Sequence, residues 1–187
     1  MAIEKRDLVM EAHLQAIAIW YWIAAAACVL LAGGLVLFFK ESLPADAQRM
    51  MKAGIVMGIL GAVTSYALGS YLMKYSEGAR ITAGIMSGLT LLMNIAAVAR
   101  PGGALSQGNW GRLVSTTLAA GWCVVLLWAF FNGRSSIVCS EEYRVIVKAT
   151  PDQKPETFRS PFFWVPFILV GVSMTVATIY WVTHKAG

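Results

Sequence analysis

The chain has 187 residues, of which 58% are hydrophobic and 13% charged, and its formal net charge is +5. Soluble domains carry about 25% charged residues, so this composition excludes an ordinary water-soluble domain. The basic residues flank apolar runs and form no stripe interleaved with aromatic residues. The sequence therefore indicates no nucleic-acid partner.

Five apolar runs contain no Asp, Glu, Lys or Arg: residues 12–39, 53–73, 81–99, 113–131 and 162–183. A helix needs roughly 20 residues to cross a hydrocarbon core of about 30 Å, and each run approaches or exceeds that length. Because backbone groups inside lipid must pair within their own segment, each run is expected to be helical. We predict an all-α membrane protein, a bundle of five transmembrane helices with a four-span core plus a fifth. It forms a single membrane domain over residues 1–187.

The first apolar run is longer than one crossing requires. Trp20, Tyr21 and Trp22 lie some way into it, and such rings prefer the headgroup boundary. Residues 12–19 are therefore expected at or near the headgroups. The predicted spans are about 16–39, 53–73, 81–99, 113–131 and 162–183.

The connection at residues 132–161 is the longest polar segment. Ser140 precedes Glu141 and Glu142, a pattern typical of a helix N-cap followed by acids in the first turn, and Pro151 ends the segment. We predict a short interfacial helix at about 140–148 with its apolar side against the bilayer or the span ends. A short strand at 145–147 is the alternative.

The basic residues also predict an orientation. With five spans, nine of the 15 Lys and Arg residues fall on the side of the N-terminus. The positive-inside rule then places the N-terminus and the connection 132–161 in the cytoplasm. We expect a multi-pass protein of the cell inner (plasma) membrane.

Small residues recur at helical spacing in the second and third runs. Residues four apart share one helix face, and glycine on such a face lets two membrane helices approach closely. The stripes are Gly54, Gly58 and Ala62; Gly61, Ser65 and Gly69; and Gly84 with Gly88. Because a short connection makes the second and third spans neighbours, we expect these stripes to pack the two spans together. Pairing of two copies of the chain is the alternative.

The predicted spans offer little chemistry. Spans two to five hold no ionisable residue, and Asn94 is the strongest polar candidate, as a hydrogen-bonding contact between helices. His13 and His184 are weak candidates for axial ligands of a haem or a chlorophyll magnesium, although a solvated histidine at a helix end is the simpler interpretation. The sequence contains no nucleophile, zinc or phosphate-binding motif. We expect no cofactor and no metal, and the reactivity of Cys139 stays open.

Two segments resemble a known group of proteins. The first is Cys139-Ser-Glu-Glu-Tyr143 followed by Thr150-Pro151, and the second is the short loop at 72–81 with its Ala79-Arg80 pair. Together they resemble small bacterial multi-span proteins of uncharacterised function, which show a Cys-Ser-x-Glu-Tyr…Thr-Pro pattern after the fourth span. In those proteins a tryptophan usually stands where Gly78 stands here. The resemblance implies a bacterial inner-membrane origin and brings no activity or cofactor.

Three functional hypotheses follow from the sequence. The first is a non-catalytic accessory or scaffolding subunit that packs against a larger membrane complex, with other subunits or a second copy as partners. The second is a small oligomeric channel or transporter with Asn94 on the path. The third is a pigment- or haem-associated subunit that uses His13 or His184. An enzyme is not expected.

Overall fold

The structure is a computed structural model that describes residues 6–37, 44–100 and 109–185, and it describes residues 184 and 185 by their backbone alone. The helices in these residues are α1 (Leu8–Leu37), α2 (Ala45–Leu72), α3 (Glu77–Ala99), α4 (Trp110–Phe131), α5 (Gly133–Val138), α6 (Glu141–Ala149) and α7 (Pro161–Lys185). A single 3-10 turn covers Thr157–Arg159. Five of these helices, α1 to α4 and α7, are long and apolar enough to span a membrane. The predicted all-helical, five-span class is confirmed, and the described ranges contain no strand.

The bundle consists of two helical hairpins. α1 packs along α2 and α3 packs along α4, whereas α2 and α3 make few contacts with each other. α7 is added at the side, against α1 and α4. Two hairpins that are closely packed internally can leave an open space between them.

The glycines of the α2 stripes allow the close packing of α1 and α2 in the first hairpin. A methyl group added at Gly58 would lie 2.9 Å from Cβ of Ala32, and one at Gly69 would lie 2.8 Å from the Ala18 carbonyl oxygen. Gly54 and Gly61 face Leu35 and Cys28 in the same way. The expectation that this stripe packs on the third span is therefore wrong, because its glycines contact α1.

The small residues of α3 belong to the second hairpin. A methyl group at Gly84 would lie 2.7 Å from the Phe131 ring, and one at Gly88 would lie 3.8 Å from Leu127. Both neighbours are on α4. A short connection makes α2 and α3 consecutive in the chain, but each of them packs mainly against another helix.

The first half of α1 forms part of the protein core. The helix begins at Leu8, and Leu14, Ile17 and Ala18 are at most 3% exposed. The core cluster also contains Leu72 and Phe130. Most of residues 12–19 therefore pack against other helices, with His13, Gln15 and Ile19 half-buried. Their position at the headgroups stays a prediction. Trp20 donates its indole N–H to the Phe163 carbonyl at 2.9 Å.

The connection after α4 folds as predicted in its central part. α6 covers Glu141–Ala149, and the Ser140 hydroxyl accepts a 3.2 Å hydrogen bond from the backbone N–H of Tyr143. This is the N-cap that the sequence predicts, and the alternative strand at 145–147 is wrong. The preceding helix α5 was not predicted.

Candidate functional site

A buried carboxylate lies at the end of the bundle where α1 begins. Glu11 is 0% exposed, and four donors converge on it. The Arg6 guanidinium binds both carboxylate oxygens, with Nε donating to Oε1 at 2.8 Å. The Tyr143 hydroxyl donates to Oε1 at 2.6 Å, and the Tyr75 hydroxyl donates to Oε2 at 3.0 Å. We refer to Arg6, Glu11, Tyr75 and Tyr143 as the polar cap.

The polar cap joins segments that are distant in sequence. Arg6 Nη1 also donates to the carbonyl oxygens of Thr150 at 2.7 Å and Gln153 at 2.6 Å. The backbone N–H of Asp7 donates to the Tyr143 hydroxyl at 2.6 Å. The residues before α1 are thereby fixed to the connection after α6. The start of α1 and the connection 132–161 consequently lie at the same end of the bundle.

A second set of hydrogen bonds surrounds Tyr75 in the turn between α2 and α3. Gln15 Nε2 donates to the Tyr75 hydroxyl at 2.8 Å, and Gln15 Oε1 accepts from the Thr157 hydroxyl at 2.7 Å. Tyr75 itself has a φ of 52°, the left-handed conformation that a bulky residue rarely adopts. Its ring is 5% exposed, so burial and hydrogen bonding hold this turn in place.

The electrostatics of the polar cap favour a structural role. Burial raises the pKa of Tyr75 above its usual value, and the adjacent Glu11 carboxylate raises that pKa further. Burial and the hydrogen bond to Glu11 raise the pKa of Tyr143 in the same direction. The hydrogen bond to Glu11 also raises the pKa of Arg6. Both phenols therefore stay neutral donors, and Glu11 has its oxygens occupied, which suits a fixed network better than proton transfer.

A second buried cation links the two helices of the α3–α4 hairpin. Arg80 on α3 has a side chain 8% exposed and donates from Nη1 to the Phe130 carbonyl at 2.5 Å. The Ser135 hydroxyl donates to the same oxygen at 2.8 Å. A cation at a helix C-terminus satisfies carbonyls that lack a helical partner and complements the helix dipole. Arg80 therefore ties α3 to the end of α4.

The cysteine singled out in the sequence lies beside this contact. Cys139 is 0% exposed and belongs to the core cluster. Burial raises the pKa of its thiol to about 11, although the positive charge of Arg80 acts in the opposite direction. A thiol with this pKa and no exposed surface is a packing group, not a nucleophile.

A cleft lies between the two hairpins. It has a volume of about 510 Å³ and is lined by side chains from α1, α2, α3 and α4. Trp20 and Tyr21 contribute from α1, and Trp122 contributes from α4. Hydroxyl groups also border it, from Thr64, Ser65, Ser87 and Thr90. We refer to this space as the membrane cleft.

The polar cap and the membrane cleft are separated by packed apolar side chains. Along α1 the order is Glu11, then Leu14 in the core, then Ile17, Trp20 and Tyr21, which line the cleft. The six residues from Glu11 to Ile17 span about 9 Å of helix. On α2 the buried Leu72 lies beyond Leu68, which lines the cleft. Packed apolar side chains on both helices therefore lie between the cleft and the capped end.

The residues proposed from the sequence have different positions. The His13 Nδ1 atom lies 2.9 Å from the Ser160 hydroxyl, and its ring lies against Phe162 at 5.0 Å, so only Nε2 is left for a ligand. The side chain of His184 lies outside the described residues. Asn94 is half-buried and is not among the residues that line the cleft, whereas Ser65 is. Ala62 is buried between helices.

The polar cap was not predicted from the sequence. The sequence gives no reason to single out Arg6 or Glu11, because a charged residue before an apolar run is usually exposed. One signal was available in the pattern Cys139-Ser-Glu-Glu-Tyr143 and Thr150, since Cys139, Tyr143 and Thr150 all pack into this end of the bundle. Nothing in the sequence spacing, however, connects Tyr143 with Glu11.

Comparisons with family models, with curated proteins and with solved structures find no match to this chain. Function is therefore inferred from the polar cap, the membrane cleft and the outer faces of the helices. The origin implied by the Cys-Ser-x-Glu-Tyr…Thr-Pro resemblance stays a prediction.

Proposed function

We propose that the protein is a non-catalytic subunit of the membrane, which packs against other membrane subunits through α7. The observation that carries this proposal is the outer face of α7. Gly171, Thr175 and Thr178 lie on one side of the helix and are exposed, opposite the half-buried Leu169, Ser173 and Tyr180. A methyl group added at Gly171 would meet no atom within 4 Å.

This face suits helix association inside a bilayer. Small residues allow close backbone approach, which is how membrane helices gain contact when lipid already satisfies their apolar groups. The Thr175 and Thr178 hydroxyls donate to the carbonyls of Gly171 and Met174 at 2.9 Å each. Their hydrogen atoms are therefore satisfied within the helix, and the face can meet either lipid or another helix. The opposite side of α7 already packs against α1 and α4 within this chain, so the outer face is the one left for a partner, which we propose to be another subunit.

The lack of free reactive groups in the described part supports a non-catalytic role. Glu11, the buried acid, is fully engaged by the polar cap, and Cys139 is buried with a raised pKa. The channel and pigment hypotheses gain less support. Packed core separates the cleft from the capped end, and the Nδ1 atom of His13 already contacts Ser160.

The proposed location is the cell inner membrane, with the N-terminus in the cytoplasm. Arg6, Arg134 and Arg144 lie at the capped end, where the polar cap and α6 are found. The positive-inside rule favours the cytoplasm for that end.

Mild detergent extraction followed by native mass measurement tests the proposal. We expect the wild type in an assembly that contains other polypeptides. Gly171→Phe should release a single chain, because the ring fills the small-residue face. Val172→Phe is the matched control, since Val172 is exposed on a different side of the same helix and should leave the assembly intact. A wild-type mass of one chain, or an assembly made only of copies of this chain, contradicts the proposal.

A further inference from the structure

We propose that the membrane cleft binds one uncharged, lipid-soluble molecule with a ring that carries hydrogen-bond-accepting oxygens, a chemistry of which a quinone is the simplest example. Unpartnered donors that line the cleft indicate this ligand class. The cleft volume of about 510 Å³ falls within the range of about 300–1,000 Å³ that is typical of small-molecule sites.

The donors that line the cleft differ in how well they are satisfied. On α3, the Ser87 hydroxyl donates to the Ala83 carbonyl at 2.9 Å, and Thr90 donates to the Met86 carbonyl at 2.9 Å. On the facing helices, Thr64, Ser65 and Trp122 also line the cleft, and within the described residues their hydroxyl and indole groups make no hydrogen bond. Three donors from α2 and α4 are therefore left for a ligand.

The position of these donors deep in the membrane makes their lack of a hydrogen-bond partner significant. Thr64 lies eight residues before the end of α2, and Trp122 lies nine residues before the end of α4. Both distances correspond to roughly 12–14 Å along a helix, close to the middle of a bilayer core. Water is scarce at that depth, so a hydroxyl or indole N–H there needs a partner from protein or ligand.

The lining also determines the charge and shape of the ligand. Among the described residues, no Asp, Glu, Lys, Arg or His lines the cleft, so nothing compensates a charged ligand. An indole N–H can only donate, so the ligand must supply an acceptor. Trp20, Tyr21 and Trp122 offer aromatic surface for a ring. Hydroxyl donors on α2 and an indole donor on α4 suit acceptor oxygens on two sides of the ligand.

Entry is from the lipid. Met57, Leu60, Thr64, Met86 and Thr90 line the cleft and are also exposed on the bundle surface, on α2 and α3. These two helices make few contacts with each other, so the cleft opens sideways between them. A hydrocarbon tail on the ligand can therefore remain in the bilayer.

The experiment uses a decyl-substituted benzoquinone as the probe and decylbenzene, which lacks the oxygens, as its matched control. The full chain in detergent is mixed with each probe, passed through size-exclusion chromatography, and the retained probe is extracted and measured at several concentrations. We expect saturable retention of about one benzoquinone per chain and no saturable retention of decylbenzene. Equal retention of both probes, or none of either, overturns the proposal, because the cleft would then hold only hydrocarbon or detergent.

Variants locate the site. Trp122→Phe keeps an aromatic ring, although a smaller one, and removes the indole N–H, and loss of one neutral hydrogen bond should weaken binding about 3- to 10-fold. Trp128→Phe is the matched control, since Trp128 is on the same helix but is 58% exposed and does not line the cleft. Ala24→Phe fills part of the cleft and should abolish retention while the protein elutes as a folded species. Equal effects of the two tryptophan variants, or full retention by folded Ala24→Phe protein, contradict the assignment.

Discussion

The Tyr143 hydroxyl donates a 2.6 Å hydrogen bond to Glu11, although the two residues are 132 positions apart in the chain. The bond joins the first turn of α1 to the short helix α6. Because the Tyr75 hydroxyl binds the same carboxylate, three separate segments meet at one buried anion. The stability of the capped end therefore depends on a few identifiable atoms.

Removal of the Tyr143 hydroxyl should destabilise the fold. Tyr143→Phe leaves Glu11 and the Asp7 N–H each without one buried partner, and we expect the free energy of unfolding to fall by about 1–3 kcal/mol. Denaturant unfolding of the protein in detergent measures this. Tyr66→Phe is the control, since Tyr66 is 64% exposed and should change stability little. If Tyr143→Phe and Tyr66→Phe are equally stable, the polar cap does not stabilise this fold.

The ion pair within the polar cap should be strongly coupled. Arg6→Met leaves a buried carboxylate without its cation, and Glu11→Leu leaves a buried guanidinium without its anion, so each should lower stability by about 3–5 kcal/mol. The double variant Arg6→Met with Glu11→Leu should lose clearly less than the sum of the single variants, because no charge is left unpaired. Arg159→Ala serves as the control, since its 2.6 Å pair with Glu156 is exposed and worth about 0–1 kcal/mol. Additive losses in the double variant would contradict the pairing.

The sequence was sufficient to predict the helices but not how they pair. The five spans were predictable because charge-free runs about as long as a bilayer crossing can satisfy their backbone hydrogen bonds in lipid as helices. The Ser140 cap was predictable because its partners are local. The partners of Gly69 and Gly84 were not, since small residues show only that some helix approaches closely. The polar cap depends on contacts between distant segments, and the cleft depends on how two hairpins diverge.

Cys139 should resist modification in the folded protein. A shift of its pKa from 9.0 to about 11 lowers the thiolate fraction near neutral pH by about 100-fold, and burial blocks access as well. In a variant with Cys28→Ala and Cys123→Ala, we expect slow maleimide labelling of Cys139 at about pH 8. Val145→Cys, at a position 68% exposed on α6, should label rapidly in the same background with Cys139→Ala.

The same thiol gives a pH dependence of stability with a defined sign. Because burial raises its pKa in the folded state, the neutral thiol contributes stability below its ordinary pKa of 9.0. That contribution should be lost as the pH rises through about 11. Cys139→Ala should show a smaller loss of stability than the wild type between these pH values. Rapid labelling of folded protein, or identical alkaline profiles, would show that Cys139 is exposed.

Accessibility labelling should place the capped end on one side of the membrane. In a variant with the three native cysteines replaced by alanine, Asp152→Cys and Gly78→Cys should share one accessibility. Asp46→Cys and Arg100→Cys should show the opposite one, because each of the first four spans reverses the chain. With the N-terminus in the cytoplasm, an impermeant maleimide should label positions 46 and 100 in intact cells and leave 78 and 152 unlabelled. Labelling of 78 together with 46 would contradict the arrangement of spans.

The close approach of α1 and α2 should make Gly69 intolerant of a side chain. A methyl group there would lie 2.6 Å from Cδ1 of Trp22 and 2.8 Å from the Ala18 carbonyl oxygen, and a backbone atom cannot move aside easily. Overpacking of this kind costs about 1–3 kcal/mol, so Gly69→Ala should lower the free energy of unfolding by that amount. Gly121→Ala is the matched control, because nothing lies within 4 Å of the added atom and alanine favours a helix by up to about 1 kcal/mol. Denaturant unfolding of both variants in detergent tests whether the α2 glycines pack against α1. If Gly69→Ala is tolerated as well as Gly121→Ala, the α2 stripe does not contact α1, and pairing with α3 or with a second copy becomes the better explanation of its spacing.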